Sequence, residues 1–232
     1  MADLRPVLDG LSSMATRQVL GALASGALAA GLSQVRITSV GGVDAEKRVM
    51  DGEPVDLVWL AAPALERLEA AGHLVPGSRR ALMRSEIWVA VRAGAPRPPV
   101  ADEAQVREAV LAARTLGHST GPSGTYLTGL FQRWSIREQV QPRLVQAPPG
   151  VPVAALIARG EVELGFQQRS ELVGVEGVDA IGPLPDAIQH ATVFSGAVCV
   201  RSRDPKAAAR LLDFMASDAA SGILLAHGMA PA

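Results

Sequence analysis

The chain has 232 residues, 48% apolar and 19% charged, enough to bury a substantial core and far from the charge-rich composition of chains that stay unfolded. Lys and Arg total 22 against 23 Asp and Glu, with no basic run and few aromatic residues, which excludes the cationic stripe and stacking surface that nucleic acid requires. A length of this order fits one large domain or two small lobes.

In chain order, Pro6-Val7-Leu8 begins a first strand, and Leu11-Ser12-Ser13 leads into a helix over 14–30 with Ser12 or Ser13 as its cap. Val35-Arg36-Ile37-Thr38-Ser39-Val40 reads as a second strand, Gly41-Gly42 as a turn, and 44–50 as a short helix with acids in its first turn. Val55-Asp56-Leu57-Val58-Trp59-Leu60-Ala61 is a nearly continuous apolar strand, followed by a helix over 63–71. Ile87-Trp88-Val89-Ala90-Val91 is a further strand that runs into a Pro-rich stretch unable to continue a sheet, and a lobe boundary is expected there. Beyond it come a helix over 103–113, a strand over 115–118, the loop Ser119-Thr120-Gly121-Pro122-Ser123-Gly124-Thr125 and a helix over 126–134. A loop over 146–150, a helix over 151–159, a strand over 162–167, a long strand over 192–200 and a terminal helix over 205–215 complete the order. Strands linked by helices in this rhythm make the class α/β.

The one cysteine, Cys199, lies in the apolar run Val198-Cys199-Val200 and reads as a buried strand residue, so no intrachain disulfide is expected. The start, Met1-Ala2-Asp3-Leu4-Arg5-Pro6, lacks the features of a secretory signal. The expectation is a cytoplasmic protein as the sequence stands, or a periplasmic one whose signal has been removed. Residues 19–32 are too few and too rich in Gly and Ala to span a bilayer, so no membrane insertion is expected. His73, His118, His190 and His227 show no metal-ligand spacing, and phosphate-loop, dinucleotide and nucleophile-elbow motifs are lacking, so neither a metal nor a cofactor is expected.

What recurs is a polar, Gly/Ser-rich turn between the carboxyl end of a strand and the amino end of a helix: Leu11-Ser12-Ser13, Gly41-Gly42, Pro122-Ser123-Gly124-Thr125 and Pro149-Gly150-Val151. Unpaired helix N–H groups at such ends bind anions. Any one of these turns alone is an ordinary cap.

The ordering, with GHLVPGSRRAL over 72–82, GPSGTYLTGLF over 121–131, GEVELGFQQRSEL over 160–172 and the terminal DPKAAARLLDFMASDAASGILLAHGM, resembles the periplasmic molybdate-binding proteins and the wider type II solute-binding family. The resemblance covers about residues 5–231. It implies a two-lobed type II periplasmic-binding-protein-like fold with a ligand cleft between the lobes, lobe one over 1–92 and 191–232 and lobe two over 93–190. It also implies a small anionic ligand and, if the protein is exported, an ABC-transporter permease as partner.

The family's anion contacts map onto Ser12 or Ser13 and onto Ala61, where a backbone N–H serves. A serine of the second turn falls at Gly42, and a tyrosine of the second lobe falls at Gln168. Two hydroxyl donors are thus replaced, which disfavours molybdate. Gln167 and Gln168 offer amides, while Ser123, Gly124, Thr125 and Tyr126 offer hydroxyls and N–H groups, a lining suited to an organic carboxylate. Arg169 is either a carboxylate fork or a surface charge. A smaller branch of the family is aconitate-isomerase-like, which implies an alternative, a cofactor-free proton shift in a di- or tricarboxylate. The base would then be His118 or Asp9, with Tyr126 and His190 as further candidates.

Overall fold

The computed structural model describes residues 6–232. The segment 1–5, which carries most of the stretch read for a secretory signal, lies outside the described residues. The chain divides into two compact units, one running to Arg84 and resuming over Val193–Ala232, the other spanning Ser85–Thr192. The first stretch holds β1 (Leu8–Ser13), a 3-10 turn over Met14–Thr16, α1 (Arg17–Ala29), β2 (Val35–Val40), α2 (Gly42–Met50), β3 (Leu57–Ala61), α3 (Ala62–Ala70) and β4 (Arg80–Ser85). The middle stretch holds β5 (Ile87–Arg92), α4 (Glu103–Ala112), β6 (Leu116–His118), α5 (Pro122–Arg133), α6 (Arg137–Val140), β7 (Leu144–Gln146), α7 (Val153–Ala158), β8 (Leu164–Gln168) and β9 (Val178–Pro183). The chain returns through β10 (Thr192–Val198), α8 (Pro205–Met215), α9 (Ser221–Ala226) and β11 (Ala230–Pro231).

In the first unit the sheet order is β11-β4-β10-β3-β1-β2, with β1 parallel to both β2 and β3 and β10 antiparallel to β3. Helices cover both faces, which is why β3 reads as an unbroken apolar run. Leu57 and Trp59 point into the cluster shared with α1 and α8, and Val58 and Leu60 into the one shared with α2 and α3. Trp59 is fully buried between two glycines of the flanking strands. A Cβ at Gly10 would stand 2.3 Å, and one at Gly196 2.8 Å, from atoms of its indole.

Near the amino end of β1, the buried Asp56 accepts the Asp9 N–H, the Arg203 N–H and guanidinium, and the Ser202 hydroxyl. Burial pushes its pKa up, but these donors outweigh burial and hold the carboxyl below its usual range. Cys199 is 2% exposed and pairs with Leu74 in an isolated bridge. Burial, then the charge of Asp56, pushes its thiol up to about 12.

In the second unit the order is β7-β6-β8-β5-β9, with β6 parallel to β7 and β8 and β5 antiparallel to β8 and β9. One face packs against α4 and α5 through Val106, Val110, Leu127 and Phe131, the other against α7 through Ala154 and Ile157. Because β5 pairs with β8 and β9, the first boundary falls before β5 and not at 92/93. The Pro-rich stretch joins β5 to α4 inside the second unit, and the return boundary lies at 192/193.

Candidate functional site

Three strands of the first unit each deliver the chain into a helical amino end: β1 into the 3-10 turn, β2 through Gly41 into α2, and β3 through Ala61 into α3. None of Ser13, Gly41 and Ala61 makes a side-chain cap bond. The first N–H groups of such turns lack partners along the helix and carry its positive dipole end. Ser12 and Ser39 lie side by side in the β1–β2 register, their hydroxyls 2.8 Å apart. Ser13 is buried, its hydroxyl 3.5 Å from that of Thr16, which donates to the Ser13 carbonyl. A Cβ at Gly42 would lie 3.7 Å from that of Ser13, so Ser12, Ser13 and Gly42 form one neighbourhood. Ala61 lies two residues beyond Trp59, the partner of Ser12 in β3. Ser12 and Ser13 are strand residues, not caps of α1, which begins only at Arg17.

In the second unit α5 starts at Pro122, so Ser123, Gly124 and Thr125 occupy its first turn and not the expected loop. Ser123 is buried, with its hydroxyl 3.1 Å from that of Ser119, which also accepts the Gly121 N–H. Gly124 is sterically required. A Cβ there would meet the Ser119 carbonyl oxygen at 1.8 Å and His118 Nδ1 at 3.1 Å. Both the N–H and the hydroxyl of Thr125 donate to the Gly121 carbonyl. The Tyr126 hydroxyl donates to the Ile188 carbonyl, and its ring stacks on His190 at 4.7 Å.

His118 is buried, and burial lowers its pKa against the smaller raising effect of its bond to Ser119. Its Nδ1 lies 3.2 Å from the Ser119 carbonyl oxygen. A carbonyl only accepts, so Nδ1 carries the proton and Nε2 keeps its lone pair.

At the end of β8, Gln168 is 1% exposed, its Nε2 donating to the Thr192 hydroxyl at 2.7 Å while its Oε1 has no partner. Gln167 points to the other face and accepts the Ala154 N–H. Arg169 lies over the Trp88 ring, 5.0 Å from its centre, and so faces an aromatic surface. Asp9 sits at the opposite end of β1 from Ser13, bonded to Arg36 and Arg203 at 2.8 and 2.7 Å. The Arg36 hydrogen bond is the chief reason its carboxyl stays below the usual range, so Asp9 is an ion-pair partner placed away from the serines.

Three participants, and one enclosed acid on the Gln167 side, were not singled out from the sequence. Ser39, Ser119 and Thr192 each bond a named candidate, and Ser39 sits two residues before Gly41, a signal that was available. Glu171 has a carboxyl enclosed enough that burial pushes it up to about 7, against a hydrogen bond from Gln167. Among the described residues no group of three or more His, Cys, Asp or Glu is gathered to hold a metal ion. No helix of the described residues is long and apolar enough to cross a membrane.

The family model described as bacterial extracellular solute-binding protein matches residues 8–230. The chain belongs to that family. It is 37% identical over 185 residues to a protein named aconitate isomerase from Pseudomonas sp, covering 79% of this chain and 70% of the relative. It is 26% identical over 197 residues to the molybdate-binding protein ModA of Azotobacter vinelandii, covering 78% and 73%. The solved Azotobacter vinelandii periplasmic molybdate-binding protein superimposes with a TM-score of 0.79 at 20% identity, covering 96% of this chain and 98% of that one. The fold of this solute-binding protein is therefore the two-lobed α/β fold of the periplasmic solute-binding proteins.

Proposed function

We propose that the chain binds a small organic anion, a carboxylate rather than molybdate, as a solute receptor. The observation that carries this reading is Gln168, a buried amide with one end on Thr192 and the other unpartnered, at the position of a tyrosine in the molybdate-binding pattern. An unmet buried polar atom costs about 1–3 kcal/mol, so the free end is suited to a group that arrives with the ligand. The Thr192 hydroxyl both donates and accepts, so the amide has two usable orientations. One presents Nε2 to a carboxylate oxygen, and the other presents Oε1 to a hydroxyl or a protonated acid. An organic acid offers both kinds of partner, whereas the molybdate dianion offers only acceptors.

Gly42 supports the same preference, since it lacks a hydroxyl where a tetrahedral oxyanion would use one. The identity to a protein named aconitate isomerase adds to it. In this reading the candidate donors of the first unit, taken by itself, are Ser12, Ser13, Gly42 and Ala61, and those of the second unit, taken by itself, are Ser123 and Gln168. Gly124 and Thr125 support the first turn of α5. Where the protein is exported, its partner is an ABC-transporter permease.

A thermal-shift panel of molybdate, tungstate, sulfate, citrate and cis- and trans-aconitate tests this. A ligand at about 100 times its Kd adds about 2.7 kcal/mol, or about 5–10 °C for a chain of this size. Stabilisation by the carboxylates is expected. Stabilisation by metal oxyanions alone would overturn the preference.

His118 favours a second reading, the cofactor-free proton shift, because its buried ring keeps an unprotonated Nε2. Asp9 and Tyr126 are held by other partners. That reading expects solvent deuterium to enter trans-aconitate with the wild type and not with His118→Gln. Binding without incorporation would leave the receptor alone standing.

A further inference from the structure

The first unit carries a groove of about 560 Å³ between the exposed side of α1 and the sheet-edge strand β2. Val35 and Ile37 of β2 and Leu28 of α1 give it apolar walls, and Arg17 and Ser39 line it as well. Ser39 is the residue whose hydroxyl meets that of Ser12, so the groove and the donor neighbourhood share a wall.

Two features of this groove have no explanation in the packing of the unit. The Arg17 side chain is exposed and its guanidinium has no ion pair or hydrogen-bond partner among the described residues, as with Arg84 and Arg210 of the same unit, whereas Arg36, Arg48, Arg67 and Arg203 are each paired with a carboxylate. It also opens α1, where the positive end of the helix dipole opposes a cation. Gly21 sits inside α1, where glycine weakens a helix, yet a Cβ there would meet nothing within 4 Å. Gly26 of the same helix differs, because a Cβ there would come within 3.1 Å of Ile223. Gly21 thus keeps the groove wide at a cost to the helix, and Arg17 brings to it a fork with no partner among the described residues.

We infer that this groove takes a second carboxylate of the ligand, with Arg17 as the residue that selects a di- or tricarboxylate over a compact oxyanion. The first carboxylate occupies the donors at Ser12, Ser13 and Gly42. The carbon skeleton lies beside Ile37 at the Ser39 end of the groove, the end at which Arg17 opens α1, and the guanidinium meets the second carboxylate in a bidentate pair. The inference rests on the organic-anion reading above and names the substrate class of that site.

Calorimetric titration of the full chain with trans-aconitate, crotonate and molybdate tests it, using the wild type and the variants Arg17→Gln, Arg17→Lys and Gly21→Leu. Arg17→Gln is expected to weaken trans-aconitate binding by about ten- to a hundred-fold, the worth of a charge-assisted pair, while leaving the one-carboxylate crotonate and molybdate within about two-fold. Arg17→Lys restores part of the loss, since it returns the charge without the fork. Gly21→Leu weakens trans-aconitate by filling the groove. The unliganded Arg17→Gln protein is expected to melt no lower than the wild type, because a cation has left the positive end of a helix, and a merely structural arginine would not behave so. Tight trans-aconitate binding that Arg17→Gln leaves unchanged would overturn this inference alone. A wild type that binds molybdate and neither carboxylate would overturn the organic-anion reading, and the inference with it.

Discussion

A hydroxyl more or less decides which anion such a site prefers, and Gly42 is where the change is easiest to make. A Cβ there meets only the Ser13 Cβ, at 3.7 Å, and Gly42 does not need a left-handed backbone, so serine fits without displacing a neighbour. Gly42→Ser is expected to raise molybdate affinity by about five- to ten-fold, the value of one added hydrogen bond, measured by competition against a carboxylate. A variant that gains nothing would remove position 42 from the anion's surroundings. The residues that bear on this site were legible in the sequence to different depths. Ser12 and Ser13 stood out as polar residues closing an apolar run, yet they mimic a helix cap, and only the β1–β2 register shows that Ser12 turns sideways to Ser39. Asp9 reads from the sequence as a candidate base, but its partner Arg203 is nearly two hundred residues away, and no local pattern announces such a pair.

Among the elements, α5 shows how a single glycine sets the position of a chemical group. Its first turn rests on the Ser119 backbone and against the His118 ring because residue 124 has no Cβ. Gly124→Ala is expected to push α5 off that contact, lowering stability by about 1–3 kcal/mol in denaturant unfolding, as overpacking does, and freeing the His118 ring. An alanine variant of full stability would mean that the turn yields cheaply. The strands were easier to read than these helix starts. β3 is apolar throughout because helices cover both faces of its sheet, and its limits followed from that pattern within two residues. Pro122 opening α5 was read as part of a loop because Pro, Ser and Gly favour both settings, and which one prevails depends on what the turn packs against.

At the scale of the whole molecule, the carboxylates give stability a definite pH shape. Asp56 and Asp9 have folded pKa values below their ordinary ones, so their contribution is present above about pH 4 and disappears as the pH falls through the folded values. Glu171 works in the opposite sense. Its folded value near 7 lies above the ordinary 4.5, so its contribution is complete below about pH 4.5 and fades as the pH rises through 7. Melting temperature is therefore expected to peak on the mildly acidic side and to decline toward pH 8. In Glu171→Gln the loss between pH 5 and pH 8 should shrink, and an unchanged slope would show that the carboxyl is not enclosed in solution. The buried thiol at Cys199 carries a different kind of consequence. Held near 12 and shielded from solvent, it is inert to an alkylating reagent while the first unit stays closed, and reactive once that unit opens. The chain thus contains its own clock: the rate at which reagent captures this one sulfur times the breathing of one unit without any engineered label, and a ligand gripped by that unit slows it.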